Sequence, residues 1–403
     1  SLRGSLPYFR PELEGHWMTT TGFANNQKDQ IYNRCGIAKY WCIMAPTIVQ
    51  TTDTNGGLSN GFNGTSAAAP HASAALALIM QRFPYMTNEQ ALSVLFTTAQ
   101  NMVASPDVAP TTGERELTSV VPGTAQVPNA VTGWGLVDLN KAMKGPSQFL
   151  GRFNANLSAS MDDTWSNDIS DVALEQRKGE EQAETAVWKA KKAVRGWLGG
   201  LDEGKVQSDV NEQSKDAIKL VSSLAIAIGT GNFAKEQAAL AGNDVATSLF
   251  QRILNTTRYG RYLVSHASNP QYLWIAKLIN EDLMKSLKNP SLISLDSDIA
   301  EAKKLLQFEY ALMENTRAPY LTKKLADPSA YLGGLTKSGA GSLWLTGKNS
   351  YRGDTIVNGG ELGIGAEGSI ISAAIINNTG LLTVDGKTAA VTANPGGRLK
   401  VNA

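Results

Sequence analysis

The residue best placed for chemistry is Ser66, in the string Asn63-Gly64-Thr65-Ser66-Ala67-Ala68-Ala69-Pro70-His71. Pro70 lacks an amide proton, so a helix that contains it must begin about four residues earlier, where amides are unpaired in any case. The string therefore predicts that Ser66 lies at a helix N-terminus. There, free amides and the helix dipole favour negative charge on a substrate carbonyl under attack. For the Gly-Thr-Ser triplet alone, simple helix capping is the alternative interpretation.

A serine hydroxyl is a weak nucleophile until a base removes its proton and a carboxylate orients that base. The chain contains three histidines, His16, His71 and His266. His71 lies five positions beyond Ser66 on the same predicted helix, from where it cannot readily reach back to deprotonate the hydroxyl. We therefore expect the chain as written to lack its catalytic base and to be inert alone.

The full nine-residue string resembles the active-serine motif of the subtilase family, followed by an alanine-rich helix. Met44-Ala45-Pro46 resembles the family strand that ends in Ala-Pro-Gly, with Thr47 in place of the glycine. Gly133 to Asp138 resembles the Gly-x-Gly segment before the last helix of the domain. Between them, Thr87 and Gln90 fit a capping box that opens a helix through about Gln100. The resemblance covers roughly residues 1 to 145, in the family's order.

The resemblance implies that Ser66 is the nucleophile, that its own amide forms half of the oxyanion hole, and that Gly64 and Thr65 form the turn that presents it. His71 would be structural. The family's Asp-Thr-Gly, His-Gly-Thr-His and Ala-Ala-Gly-Asn contexts have no counterpart before Ser66, and Asn25 and Asn26 lie in a different type of loop. We therefore expect residues 1 to 145 to match only the C-terminal third of a protease domain, with the catalytic Asp, His and oxyanion Asn encoded upstream.

From Gly333 onward, short alternating runs separated by Gly and Asn turns predict strands in a stacked solenoid that continues beyond Ala403. Residues 335–360 resemble the autotransporter-associated repeat that opens a passenger β-helix. Together with the serine motif, this repeat resembles the passenger of a subtilase autotransporter of Gram-negative bacteria, which ends in a membrane β-barrel. The predicted strands are Ser342 to Thr346, Asp354 to Val357, Glu361 to Ile364, Leu381 to Val384 and Arg398 to Val401.

Cys35 and Cys42 are the two cysteines of the chain. Their spacing alone fits either a short closed loop or two buried free thiols, and two cysteines do not make a four-ligand zinc site. The segment they bound resembles a Cys-Gly-x-Ala-Lys-x-Trp-Cys segment of subtilase autotransporters. Export in that family implies a disulfide between them.

The region between these two parts is helical in pattern, because apolar residues recur at three- and four-residue steps. Asp163 to Ile169, near its start, resembles the connector of those autotransporters. The region predicts either a spacer or a docking or adhesive surface, and we expect its aromatic residues to be core. The helical runs are Ile169 to Leu198, with apolar Leu174, Val187, Val194 and Leu198, then Gln271 to Leu287 and Ser297 to Asn315; the aromatic residues are Trp188, Trp197, Tyr272 and Trp274.

The composition of the chain argues against several classes of function. Lys and Arg number 37 against 36 acidic residues, so a net charge of +1 provides no field to attract nucleic acid. The longest apolar stretches are too short to span a bilayer, and the first residues do not form a signal peptide. The sequence contains no evident cofactor motif, and it carries no pattern that decides for or against calcium binding. The predicted domains are a partial α/β subtilase domain (1–150), a helical insert (151–332) and the start of a right-handed parallel β-helix (333–403).

The sequence thus predicts a secreted or surface-displayed serine endopeptidase acting through Ser66 on protein or peptide substrates. Its other expected partners are its own upstream protease segment and a C-terminal translocator barrel. The alternative is a non-catalytic surface adhesin or structural passenger derived from a subtilase.

Overall fold

The computed structural model describes residues 3–24, 34–104, 117–119, 126–230, 234–256, 281, 283–289 and 293–402. The chain forms two compact units. The first comprises residues 1–105, 115–183 and 320–403, and the second comprises residues 106–114 and 184–319. No described helix is both long and apolar enough to cross a bilayer.

The first part of the first unit, residues 3–142, is mixed α/β and is called here the serine segment. Its parallel strand pair β1–β2 lies beside the antiparallel hairpin β3–β4, which leads directly into the longest helix of the segment, α2. A second antiparallel pair, β5–β6, follows α3. The elements are α1 (Leu6–Phe9), β1 (Thr19–Ala24), β2 (Cys42–Thr47), β3 (Val49–Thr52), β4 (Leu58–Phe62), α2 (Thr65–Arg82), α3 (Asn88–Thr98), β5 (Met102–Ala104), β6 (Leu117–Ser119) and α4 (Leu139–Ala142).

Two local sequence predictions in this segment are confirmed. The hydroxyl of Thr87 accepts from the Gln90 amide and the Gln90 side chain accepts from the Thr87 amide, which is the capping box that opens α3. Gly133 and Gly135 both have positive φ values, 63° and 105°. A Cβ on Gly133 would overlap the Cys42 carbonyl, so only glycine lets this segment approach the start of β2.

Beyond the serine segment, parallel strands stack into successive rungs, called here the stem. The five predicted strands are confirmed, with ends that agree within one residue, and shorter strands complete each rung. Every described pairing between rungs is parallel. The later rungs are β9 (Gly334–Ser338), β10 (Ser342–Leu345) and β11 (Lys348–Asn349); β12 (Thr355–Val357), β13 (Glu361–Ile364) and β14 (Ser369–Ile370); β15 (Ala374–Ile376), β16 (Leu381–Val384) and β17 (Lys387–Thr388); and β18 (Val391–Ala393) with β19 (Arg398–Val401).

The first rung of the stem lies far earlier in the chain than the sequence pattern indicates. β7 (Arg152–Asn156) pairs with β9, and β8 (Asp162–Trp165) pairs with β10. The strand pattern in the sequence begins at Gly333, and Asp163 to Ile169 reads as a connector, so this assignment is corrected. The helical region is therefore inserted between the first and second rungs. Sequence reasoning missed the rung because Asp163 occupies an inward position of β8, where the alternation calls for an apolar residue.

Helices fill the inserted region. The first, α5 (Val172–Val194), begins in the first unit and ends in the second. Trp188 and Trp197 are core, 8% and 0% exposed, as predicted. The apolar face predicted for α5 is wrong in part: Leu174 is buried, but Val187 and Val194 are 68% and 88% exposed. The others are α6 (Glu203–Thr230), α7 (Ala234–Ala241), α8 (Asp244–Thr256), α9 (Asp296–Leu312) and α10 (Ala318–Ala326); Tyr272, Trp274, His266 and the run from Gln271 to Asn280 lie outside the described residues.

Candidate active site

Ser66 is the second residue of α2, and its side chain is exposed. The residue before the helix is Gly64, whose φ of +89° lies in the region that favours glycine. The predicted position of Ser66 at a helix N-terminus is confirmed. The N-cap position belongs to Gly64, so Ser66 does not cap this helix. Behind it, Ala67 and Ala68 are fully buried and fix the first turn against the core.

The carbonyl of Gly64 is the anchor of this turn. It accepts hydrogen bonds from the amides of Ala67 and Ala68, at 3.0 and 3.3 Å, and from the Thr47 hydroxyl at 2.9 Å. Thr47 is the residue that replaces the glycine expected after Ala45-Pro46, and its side chain is buried. Sequence reasoning noted the substitution but missed its consequence, which is a side-chain hydrogen bond that holds the serine turn to the end of β2.

The backbone next to Thr47 is strained. Ile48 has a φ of +59°, which is a rare conformation for a β-branched residue. Strained backbone of this kind costs on the order of 1–3 kcal/mol and is found most often at functional sites. Here the strain lies between β2 and β3, one residue from the contact that anchors Gly64.

The described histidines do not approach the Ser66 hydroxyl. The Nδ1 atom of His71 donates to the Ala67 carbonyl on its own helix at 2.7 Å, and His16 lies 3.4 Å from Glu89. His266 lies outside the described residues. Within the part of the chain that the structure describes, Ser66 makes no hydrogen bond through its hydroxyl or its amide. Both groups are therefore available to a substrate, and the described residues supply no base.

A cavity of about 280 Å³ lies beside the serine turn. Thr65, the residue before Ser66, lines it together with Thr19 and Thr20 of β1. Cys35 and Cys42 form another part of the wall, and they are joined by the predicted disulfide, which is confirmed. The exposed hydroxyl thus neighbours a concave surface.

The other end of α2 is tied to the first stem rung. Arg82, the last residue of α2, donates to both carboxylate oxygens of Asp163 on β8, at 3.2 and 2.7 Å, and Tyr85 donates to the same carboxylate at 2.5 Å. The Asp163 side chain is only 6% exposed. The burial of this carboxylate is therefore compensated by a cation and a hydroxyl from the serine segment.

A second buried ionic cluster ties the serine segment to the two helices that flank the insert. Arg177 of α5 pairs with Glu14 and Glu181, and Lys324 of α10 pairs with Glu181, which also accepts from Tyr331. Burial raises the pKa of Glu181, but the charges of Arg177 and Lys324 outweigh it and lower the pKa to about 2. Burial, together with the Arg177 charge, lowers the pKa of Lys324 to about 8.

Metal ligation offers no alternative chemistry among the described residues. They contain no group of three or more His, Cys, Asp or Glu side chains that could hold a metal ion.

An exposed serine at a helix start in a mixed α/β segment is thus joined to a stack of parallel rungs. Residues 3–135 match the subtilase family, and residues 335–364 match the passenger-associated-transport-repeat. The chain therefore joins a subtilase-family segment to an autotransporter passenger repeat.

The chain is also similar to several curated proteins. The chain is 32% identical over 183 residues to the serotype-specific antigen 1 of Mannheimia haemolytica, which is 43% of this chain and 17% of that protein. It is 34% identical over 155 residues to the autotransporter lipoprotein NalP of Neisseria meningitidis, 37% of this chain and 12% of NalP. An extracellular serine protease of Serratia marcescens is 30% identical over 169 residues, 36% of this chain and 14% of that protein.

The chain thus matches less than a fifth of the length of each of these relatives. Over the matched residues the chain is similar to autotransporter passengers that are secreted or displayed at the surface of Gram-negative bacteria.

Proposed function

We propose that the serine segment is part of a subtilisin-like endopeptidase and that Ser66 is its nucleophile. The observation that carries the proposal is the exposed hydroxyl at the start of α2, behind a glycine with positive φ and beside a cavity that Thr65 lines. Gly64 and Thr65 form the turn that presents the hydroxyl. The cavity would receive part of a peptide substrate.

The chemistry is acyl transfer. The Ser66 oxygen bonds to the scissile carbonyl carbon, and its proton passes to a base and then to the leaving amine. The resulting acyl-enzyme is released by water. The unpaired Ser66 amide points along the helix axis from an N-terminus, where it can donate to the carbonyl oxygen as negative charge develops.

The catalytic histidine, its aspartate and the oxyanion asparagine would come from upstream residues of a longer protein, so this chain alone would be inactive. The surface of α2 supports such a partner, because Leu78 and Met80 are 46% and 40% exposed. Apolar side chains of this size on a helix favour cover by further structure. Downstream, the stem would extend as a right-handed parallel β-helix toward a translocator barrel.

The proposed domain organisation keeps a partial protease domain (1–150) and a stem from residue 333 onward, but it moves the start of the helical insert from residue 151 to a position after β8, because β7 and β8 form the first rung of the stem. For the insert, a spacer role is supported by Trp188 and Trp197, which are buried rather than displayed.

The decisive experiment is active-site labelling of the full-length protein with a fluorophosphonate. Ser66→Ala should abolish both labelling and peptide hydrolysis, because the acylated oxygen is gone. Ser73→Ala, an exposed serine on the same helix, is the matched control and should label like the parent. Labelling that persists in Ser66→Ala would overturn the assignment.

The second candidate is a non-catalytic adhesin or structural passenger. It is favoured by one observation, that neither described histidine reaches Ser66. It predicts that the full-length protein neither labels nor cleaves, whatever residue stands at position 66.

A further inference from the structure

The outer face of the stem carries an aromatic side chain in an unusual setting. β10 alternates inward Leu343 and Leu345 with outward Ser342 and Trp344. In register, Trp344 lies between Thr164 of the first rung and Gly363 of the third. A Cβ on Gly363 would overlap three ring atoms of Trp344 at once, Cδ2, Cε2 and Cε3. Because all three are about equally close, the indole lies face-on over the glycine, and the Trp344 side chain is partly exposed.

Two carboxylates lie on the same face of the sheet, Glu361 on the rung that the indole covers and Asp162 on the first rung, on the other side of Ser342. Asp162 and Glu361 are both in register with Ser342, one rung to either side. Ser342 donates to Asp162 at 2.5 Å, and Thr383 donates to Glu361 at 2.6 Å, so each carboxylate is oriented by a hydroxyl. Within the described ranges, neither carboxylate has a Lys or Arg partner within ion-pair distance. The surface therefore carries two oriented negative charges with no cation of its own.

The standard spacings of a β-sheet place Trp344 and Glu361 close together. Neighbouring rungs lie roughly 4.8 Å apart, and residues two apart along a strand lie roughly 7 Å apart. Glu361 and Gly363 are two apart on β13, so the Glu361 carboxylate lies at the border of the ring that covers Gly363. A cation resting on the indole would thus contact the ring face and a carboxylate together. The Trp344 Nε1 group has no hydrogen-bond partner among the described residues and remains a free donor.

We propose that the outer face formed by Trp344, Glu361 and Asp162 binds an arginine side chain of an extended peptide. An indole is the aromatic ring that attracts cations most strongly, and a planar guanidinium can stack on it while its N–H groups fork to a carboxylate. The Nε1 group of Trp344 would donate to a peptide carbonyl. The charge complementarity of two unpaired carboxylates favours this occupant over a neutral sugar chain, which would also stack on an indole.

This inference concerns the stem and does not depend on Ser66. It assigns the stem a peptide-capturing role of its own, at a surface that none of the proposed catalytic residues occupies.

The test uses the whole chain and a fluorescent hexapeptide with two arginines, compared with a twin in which citrulline replaces both. Binding is measured by fluorescence anisotropy at low ionic strength. We expect the citrulline twin to bind more weakly by about fivefold or more, and Trp344→Ala and Glu361→Gln each to weaken the arginine peptide by about two- to fivefold. Trp344→Phe should retain part of the binding, because a benzene ring keeps a weaker quadrupole.

Glu367→Gln is the matched control, since it removes an exposed carboxylate from the same rung at a turn. It should change the affinity by less than about 1.5-fold, because an exposed charge at a distance is largely screened. Equal loss in Glu367→Gln and Glu361→Gln would overturn the proposal in favour of diffuse attraction. Equal binding of the citrulline twin, or displacement of the peptide by a neutral maltohexaose, would overturn it in favour of simple stacking.

Discussion

The serine segment and the stem lie in the same compact unit, yet they bury their apolar residues differently. In the stem, Leu343, Leu362 and Leu382 lie in register on successive rungs, and each is fully buried. On α2 of the serine segment, Ile79 is fully buried while its neighbours Leu78 and Met80 are 46% and 40% exposed. The serine motif therefore lies on a helix whose apolar side chains are only partly buried.

The difference has a physical cause. A rung buries its inner side chains against the same positions of the rungs before and after it, so a short repeat supplies its own neighbours. A helix that is apolar around most of its circumference needs cover on several sides, and that cover comes from elements distant in sequence. The stem is therefore locally self-sufficient, whereas α2 depends on non-local partners.

The sharpest test of this comparison replaces one leucine in each region. Leu362→Ala should lower the free energy of unfolding by about 2–5 kcal/mol, because it opens a cavity between two buried leucines. Leu78→Ala should cost less, about 1 kcal/mol or below, since Leu78 is already 46% exposed. Both values come from urea unfolding. Equal losses in the two variants would break the comparison.

The next largest effect on stability is expected at acid pH, because buried ion pairs hold the serine segment to α5. The pKa of Glu181 is lowered to about 2, so its contribution is present above its unfolded value of 4.5 and is lost as the pH falls from 4.5 toward 2. We expect a loss of roughly 2–3 kcal/mol over that window, measured by urea unfolding at several pH values.

Comparison with a variant isolates the contribution of Glu181 to the free energy of unfolding. Glu181→Gln should reduce the slope of stability against pH in this window, whereas Glu175→Gln, 69% exposed on the same helix, should leave it unchanged. A Glu181→Gln protein with the parental slope would contradict the expectation.

The smallest effect is expected at the junction between the two regions. Asp163→Asn keeps the shape of the side chain but removes the charge that Arg82 and Tyr85 contact, and we expect a cost of about 1–2 kcal/mol. Asp162→Asn, its exposed neighbour on β8, should change stability by less than about 0.5 kcal/mol. If Asp162→Asn proved the more damaging, the tie between α2 and the first rung would not be the stabilising contact.

Much of the fold was predictable where a local pattern carries the physics. The capping box of Thr87 and Gln90, the helix start before Ser66 and the later strands of the stem all follow from residues within a few positions of one another. The exposed valines of α5 show the limit, because periodicity defines an apolar stripe but not whether anything packs against it. The long helices inserted after the first rung likewise separate β7 from its partner β9 by almost half of the chain.

Residues within a few positions of one another were enough to predict that Ser66 lies at a helix start and that the stem is built from short strands. Those features depend on backbone sterics and on side-chain alternation, which act over a few residues. Tertiary contacts were needed to show that β7 and β8 form the first rung, that the Thr47 hydroxyl anchors the serine turn, and that the buried Asp163 is stabilised by Arg82. Each of these depends on a partner far away in the chain, and desolvation of a polar group is compensated only when that partner is in place.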